Sequence, residues 1–456
     1  MDAISSIAHH AVSSRFRDLP SAAVAAAKTF ILDTLGVGLA GSANQLASDL
    51  ARTCATWGQG QDARVWGSDM RLPAPTAAMC NAYQVHNSEF DCLHEGAVVH
   101  AMSVVLPAAI AGAERSGKVS GAQLIAAVAV GVDVSAGLGV AATRGLRFFR
   151  PATAGTFGGV AALGKLIGLD STEMVNAFSI AYGQLCGTMQ AHTEGSPLLA
   201  MQMGFGARNA VMACDLAAAG FDGPKDVLDG AFGYFNLFEP GGSSALVVQD
   251  LGRRWFIAEL AHKPFPCGRA THGIIEACLE LRRRHQLAAD QIQRAKARVP
   301  PLVHHLVGRP VRQEMATNYA RLCAPYVAAS ALRSGNVGLG DFGAEACRNA
   351  LTQDLARRIV IEEVDVGDAN ALTPIEVEID LRDGSRHTLR LDSVCGNPAK
   401  PLSRPDHLAK FYNNCVAARR PVPSDRADRL VACIERLEHV SDVTELVDLL
   451  GAVSAA

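Results

Sequence analysis

The hydrophobic period of this chain changes twice, and the two changes limit the folds open to it. Apolar residues recur at helical spacing from the start of the chain to about residue 260. "SAAVAAAKTFILDTLGVGLAG", residues 21–41, opens behind Pro20 and ends in glycines, as a helix does. "SVVLPAAIAGAERSGKVSGAQLIAAVAVGVDVSAGLG" predicts two antiparallel core helices joined at the Gly-Lys-Val-Ser-Gly turn. "ATAGTFGGVAALGKLIGL" is rich in Gly and Ala, which let helix backbones approach closely, and "DSTEMVNAFSIAYGQL" opens on a capping signal. At "HKPFPCG", residues 262–268, prolines break the run. Beyond it come alternating patterns, "QRAKARVP", "RRIVIEEVDV" and "TPIEVEIDLRDGSRHTLRLDSV". The last predicts a hairpin turning at Asp383-Gly384. After "CGNPAKPLSRP" the helical period returns.

A chain of 456 residues exceeds one ordinary core. The expected fold is therefore mostly α. A large all-helical domain is built from both chain ends (1–261 and 403–456), with a smaller α+β domain inserted at 262–402. A formal charge of −3 and no basic stripe argue against a nucleic-acid partner. The 12 cysteines lack zinc or redox spacing and are expected as reduced thiols of a cytoplasmic protein. The start of the chain lacks the basic and apolar regions of a signal peptide. "GAQLIAAVAVGVDVSAGLGVAA" is apolar, but Asp133 and its glycines point to a core helix and not to a membrane.

Only 19% of the residues are charged, yet "NSEFDCLHEGAVVH", residues 87–100, gathers Glu89, Asp91, His94, Glu95 and His100. Carboxylates beside histidines in an apolar frame shift pKa values toward neutrality, the requirement of acid–base work. A bland polar loop is the competing reading, and no metal is expected, since the spacing matches no helical ligand motif. "HKPFPCGRATH" adds Lys263, Arg269 and His272, where a domain crossing and helix start would be the bland account. The glycines of "GTFGG" follow no strand and are expected to serve packing, not a dinucleotide.

Taken together, these segments resemble the MmgE/PrpD family over nearly the whole chain. The resemblance is carried by "ILDTLGVGLAG", "EFDCLHEGAVVHAMSVVLPA", "RPATAGTFGGVAALGKLIGL", "GARNAVMACDLAAAGFDGPKDVLDGAFGYF", "KPFPCGRATHGIIEA" and "NPAKPLSRPDHLAKF". It implies a helical domain with a smaller α+β domain, a homodimer, and a site between the domains that works without metal or organic cofactor. It also implies proton transfer beside a carboxylate of a small di- or tricarboxylate, by a lyase (dehydratase or decarboxylase) or an isomerase. An epimerase of an iminodisuccinate-like dicarboxylate is the alternative, and a non-catalytic anion-binding member the one from another class.

By position the resemblance makes Asp91, His100, Lys263 and His272 the catalytic candidates. Glu89, His94, Arg150, Gln202 and Arg269 are the candidates for holding substrate, His94 and Glu95 standing behind the reacting groups or on the surface. Asp91 and His100 are both expected to face the cleft, and the Lys263 ammonium as well. The chain departs from the family pattern in three places. Leu93 stands at a usual threonine, Arg150 at a usual histidine, and Leu199 and Gln202 where a lysine and a histidine would fall. A guanidinium binds a carboxylate bidentately but is too basic to shuttle protons.

Overall fold

The computed structural model describes residues 2–368 and 370–452; the two chain ends of the expected helical domain, residue 1 and residues 453–456, lie outside the described residues. Helices fill the chain up to the proline-rich break. Ser21–Gly41 starts behind Pro20 as expected. Ala74–His86 follows. Met102–Ser116 and Gly121–Val140 are joined at the expected turn, where Ser120 and Gln123 form a capping box. Arg150–Ile167 ends at the left-handed Gly168, and Leu198–Ala218 packs against Ala74–His86.

The small residues explain how closely these helices lie. A Cβ added to Gly158 would come 2.4 Å from the Gly131 carbonyl, and one on Gly131 would come 2.7 Å from that of Gly158. Two helix backbones touch there, and any larger side chain would force them apart. Gly121–Val140 and Ser21–Gly41 are long and apolar enough to cross a membrane, but 89% and 67% of their most apolar windows are buried inside the protein. That burial makes them core helices. A two-stranded ribbon, Ala63–Arg64 with Arg71–Leu72, lies within the helical part and was not expected.

The remaining strands form one sheet in the order Ile359–Glu363, Ile292–Val299, Ile375–Leu381, Arg386–Leu391. The first pair is parallel and the others antiparallel. The hairpin turns at Gly384, whose φ of 87° only glycine adopts freely. Buried and part-exposed residues alternate along Ile375–Leu381, so one face of the sheet is covered. Helix His272–His285 packs against that strand. Arg404–Ala417 then packs back on Ser21–Gly41.

Candidate active site

Helix Ala74–His86 delivers His86 at its last turn, and the chain then runs through the buried loop 87–101. Three anchors hold this loop. Leu93 and Ala261 exchange both backbone hydrogen bonds, at 3.1 and 2.7 Å, which brings Lys263 beside the loop. Lys410, on the returning helix, donates to the Phe90 carbonyl at 2.9 Å and pairs with Asp33 at 2.7 Å. Arg321 donates to the Asn87 carbonyl at 2.5 Å. A loop tied on three sides can hold side chains in a fixed geometry.

Asp91 is fully buried and organises the site. Its Oδ2 lies 2.8 Å from His86 Nδ1 and 3.0 Å from His100 Nδ1, and it also accepts from the Ser103 hydroxyl. A carboxylate can only accept, so the His86 imidazole carries a proton on Nδ1, while His100 stands at ion-pair distance from the same oxygen. His86 Nε2 lies 3.4 Å from Glu89 Oε1, whereas among the described residues no group partners His100 Nε2. Lys263 lies beneath, 2.9 Å from Glu89 Oε2 and 3.8 Å from Asp91 Oδ1.

These contacts separate the two histidines electrically. Burial opposes the charged form of His86, but the Asp91 and Glu89 carboxylates outweigh it and raise its pKa. His100 is lowered by burial and by the Lys263 ammonium, against the pull of Asp91. Burial opposes ionisation of Glu89 too, yet Lys263, His86 and His100 bring it down to about 2. Asp91 stays ionised against its own burial because His100, His86 and Lys263 surround it. The site thus holds one imidazole biased toward its charged form and one toward its neutral form, on a shared carboxylate.

The cleft above these groups has a cavity volume of about 70 Å³ and is lined by His86, Glu89, Glu95, His100, His192 and Arg269 together with apolar side chains. Of the expected site residues, Glu89, Asp91, His100 and Lys263 come together. Asp91 and Lys263 do not line the cleft as expected; both are completely buried behind the imidazoles and Glu89. Arg269 reaches the cleft wall, but its Nε donates to Glu95 Oε1 at 2.6 Å and its Nη1 to the Cys395 carbonyl at 2.7 Å.

Four expected residues stand elsewhere. His94 turns to Glu259 at 3.4 Å and packs edge-on against Phe256, because the tight His94–Val99 bridge points it away from the cleft. Arg150 does bind a carboxylate bidentately, but it is Glu239, at 2.7 and 2.9 Å. Gln202 Oε1 accepts the Thr188 backbone N–H at 2.7 Å. His272 is fully buried between Arg269 Nη1 and the Cys267 carbonyl, and burial with the Arg269 charge holds its pKa well below the usual histidine range.

Two functional candidates stand outside the expected site residues. His86 closes an ordinary helix, and only its spacing of five residues to Asp91 hinted at the pair. His192 sits in a short helix, Gln190–Glu194, with no motif around it. Two clusters have metal-ligand atoms within 4.8 Å of one another: His86, Asp91 and His100, and Asp33, His262 and His407. In the first, the Ser103 hydroxyl donates to Asp91 Oδ2 and the Lys263 ammonium stands 3.8 Å from Asp91 Oδ1. In the second, Lys410 holds Asp33 and Arg404 faces His407 Nδ1 at 3.2 Å, so two cations occupy the ground a metal would need.

Residues 5–246 match the family model of the MmgE/PrpD N-terminal domain, and residues 265–436 that of the MmgE/PrpD C-terminal domain. The chain is 30% identical to a human protein named cis-aconitate decarboxylase, over 94% of this chain and 90% of that one. It is 29% identical to the mouse protein of the same name, over 94% and 89%. A protein so named from Aspergillus terreus is 27% identical, over 98% and 95%. Two family domains in the family's order, covering most of the chain around one buried acid–base cluster, make this chain an enzyme of the MmgE/PrpD family.

Proposed function

We propose that the enzyme is a cofactor-independent decarboxylase of a small unsaturated tricarboxylate, with cis-aconitate the first candidate. The observation that carries this reading is the single Asp91 oxygen shared by His86 and His100 at the cleft. Relatives named cis-aconitate decarboxylase support decarboxylation over dehydration or epimerisation.

The chemistry needs one proton and no electron sink beyond the substrate. The bond to the departing carboxylate breaks and its electron pair forms the new terminal double bond. The pair of the original double bond moves to the carbon beside the remaining terminal carboxylate. One proton then joins that carbon. Neutral His100, oriented by Asp91, is the candidate for this transfer, since the negative substrate favours its protonated form on binding. His86 and Lys263 balance the charges of Asp91 and Glu89, so the cleft can accept a polyanion.

The test is turnover in deuterated water. Release of carbon dioxide with one deuteron in the product supports decarboxylation. Exchange beside a carboxylate without loss of carbon dioxide would mean epimerase chemistry, and binding alone a non-catalytic member. His100→Gln should cut turnover by about a hundredfold or more while leaving melting nearly unchanged. A cytoplasmic homodimer completes the proposal. Leu46 and Leu198, exposed on the helices that meet at Ala47 and Ala200, offer apolar area to a second copy. Light scattering reporting a monomer would remove that part.

A further inference from the structure

Most cations around the cleft have their own carboxylate: Lys263 has Glu89, Arg269 has Glu95, Arg150 has Glu239 and Lys410 has Asp33. Arg309 does not. Its Nη2 donates to the Leu306 carbonyl at 3.2 Å and meets His192 Nδ1 at 3.3 Å, while its Nη1 is buried without a partner. Its guanidinium lies 5.0 Å from the centre of the Tyr319 ring. A guanidinium only donates, so His192 Nδ1 must be the acceptor, and the proton of the neutral ring is on Nε2. His192 lines the same cleft as His100. Burial and the Arg309 charge hold its pKa down to about 4, so it keeps this neutral form across the physiological range.

We propose that His192, fixed by Arg309 as its Nε2–H tautomer, is a substrate-recognition residue that donates a hydrogen bond to a carboxylate of the bound polycarboxylate. This rests on the proposed reaction for the substrate class only. A neutral imidazole backed by an unpaired guanidinium carries positive potential to the carboxylate, and the same guanidinium opposes its ionisation, which leaves the proton to His100. The pair supplies that potential in a chain where Arg150 and Gln202, two of the polar candidates for holding substrate, are turned to protein partners. Arg309 acts through His192 and is a positioning residue.

The experiment measures two things on the same folded variants. Calorimetric titration reads binding of propane-1,2,3-tricarboxylate, an unreactive probe, and steady-state kinetics read turnover of cis-aconitate. His192→Leu should weaken probe binding and raise KM by about tenfold or more, the scale of one hydrogen bond to a charged group, with kcat within about threefold. His192→Gln keeps an N–H donor and should recover most of both. Nitrogen NMR of labelled histidine should report Nε2–H for His192, and Arg309→Met should shift it toward a mixture of tautomers. Wild-type probe affinity in His192→Leu, an Nδ1–H tautomer in the wild type, or no probe binding by the folded wild type overturns the assignment. Probe binding that depends on His192 without turnover of cis-aconitate sustains it while the proposed reaction fails.

Discussion

Lys263 holds Glu89 twice: its ammonium lies 2.9 Å from the carboxylate and 3.1 Å from the backbone carbonyl of the same residue. Glu89 has a φ of 52°, a left-handed conformation that costs a side-chain-bearing residue energy. The lysine therefore fastens a strained loop as well as balancing a charge. Lys263→Ala should cost about 3–5 kcal/mol of stability, because it leaves Glu89 buried without its partner. Chemical denaturation checks this. A variant as stable as the wild type would show that the pair does not hold the loop. Sequence reasoning expected the ammonium in the cleft, where its loss would touch turnover alone.

Proton uptake should accompany substrate binding. His100 is held toward its neutral form in the empty site, and a polyanion beside it stabilises the charged form. Titrating an unreactive tricarboxylate in buffers of different ionisation enthalpy should reveal about one proton taken up near pH 7. His100→Gln should abolish most of that uptake; its persistence would assign the proton to another group.

Arg150→Ala should be a stability variant. The guanidinium meets Glu239 through two nitrogens and also donates to the Ala97 and Arg144 carbonyls. Breaking a buried pair by removing one partner costs about 3–5 kcal/mol. Turnover per folded molecule should stay within about threefold, since the loss falls outside the reacting groups. A stable Arg150→Ala protein with turnover down a hundredfold would return Arg150 to the site.

Strong chelators should leave turnover unchanged. The Lys263 ammonium, 3.8 Å from Asp91 Oδ1, opposes a second cation in the His86–Asp91–His100 cluster, and the Ser103 hydroxyl already donates to Asp91 Oδ2. Loss of activity on chelation, restored by one divalent ion, would reassign that cluster as a metal centre.

Asp133 gives a pH-dependent stability of defined sign. It is buried in Gly121–Val140, where Oδ1 accepts the Phe256 N–H at 2.8 Å and Oδ2 lies 3.4 Å from His10. Burial raises its pKa from 3.8 to about 6. The unfolded chain thus gives up this proton at lower pH than the folded one, so stability falls as pH rises through that window. The loss approaches roughly 3 kcal/mol by pH 7. Asparagine keeps an oxygen for Phe256 and cannot ionise, so Asp133→Asn should melt progressively higher than wild type between pH 4 and 7. Equal shifts at both ends would exclude Asp133 as the source.

The sequence made the elements legible where local chemistry decides them. Pro20, the Ser120 cap and the Asp383-Gly384 turn each act within a few residues, and the elements they bound appear where expected. Asp91 and His100 were legible because they stand close together in an apolar frame. What stayed hidden is pairing over distance. Nothing local reveals that Arg150 meets Glu239 or that His192 meets Arg309. An arginine reads alike whether its carboxylate is a substrate or a residue 89 positions away.

Glu95 receives Arg269 on one oxygen and Asn397 on the other, while His262 donates to the Gly396 carbonyl at 2.9 Å. The outgoing and returning strands of chain at the α+β part are thus clasped together at one carboxylate, and that carboxylate is also part of the cleft wall. A swing of the α+β part must either carry Glu95 with it or break the clasp. Whatever loosens this joint therefore also reshapes the wall of the cleft, because the same carboxylate serves both.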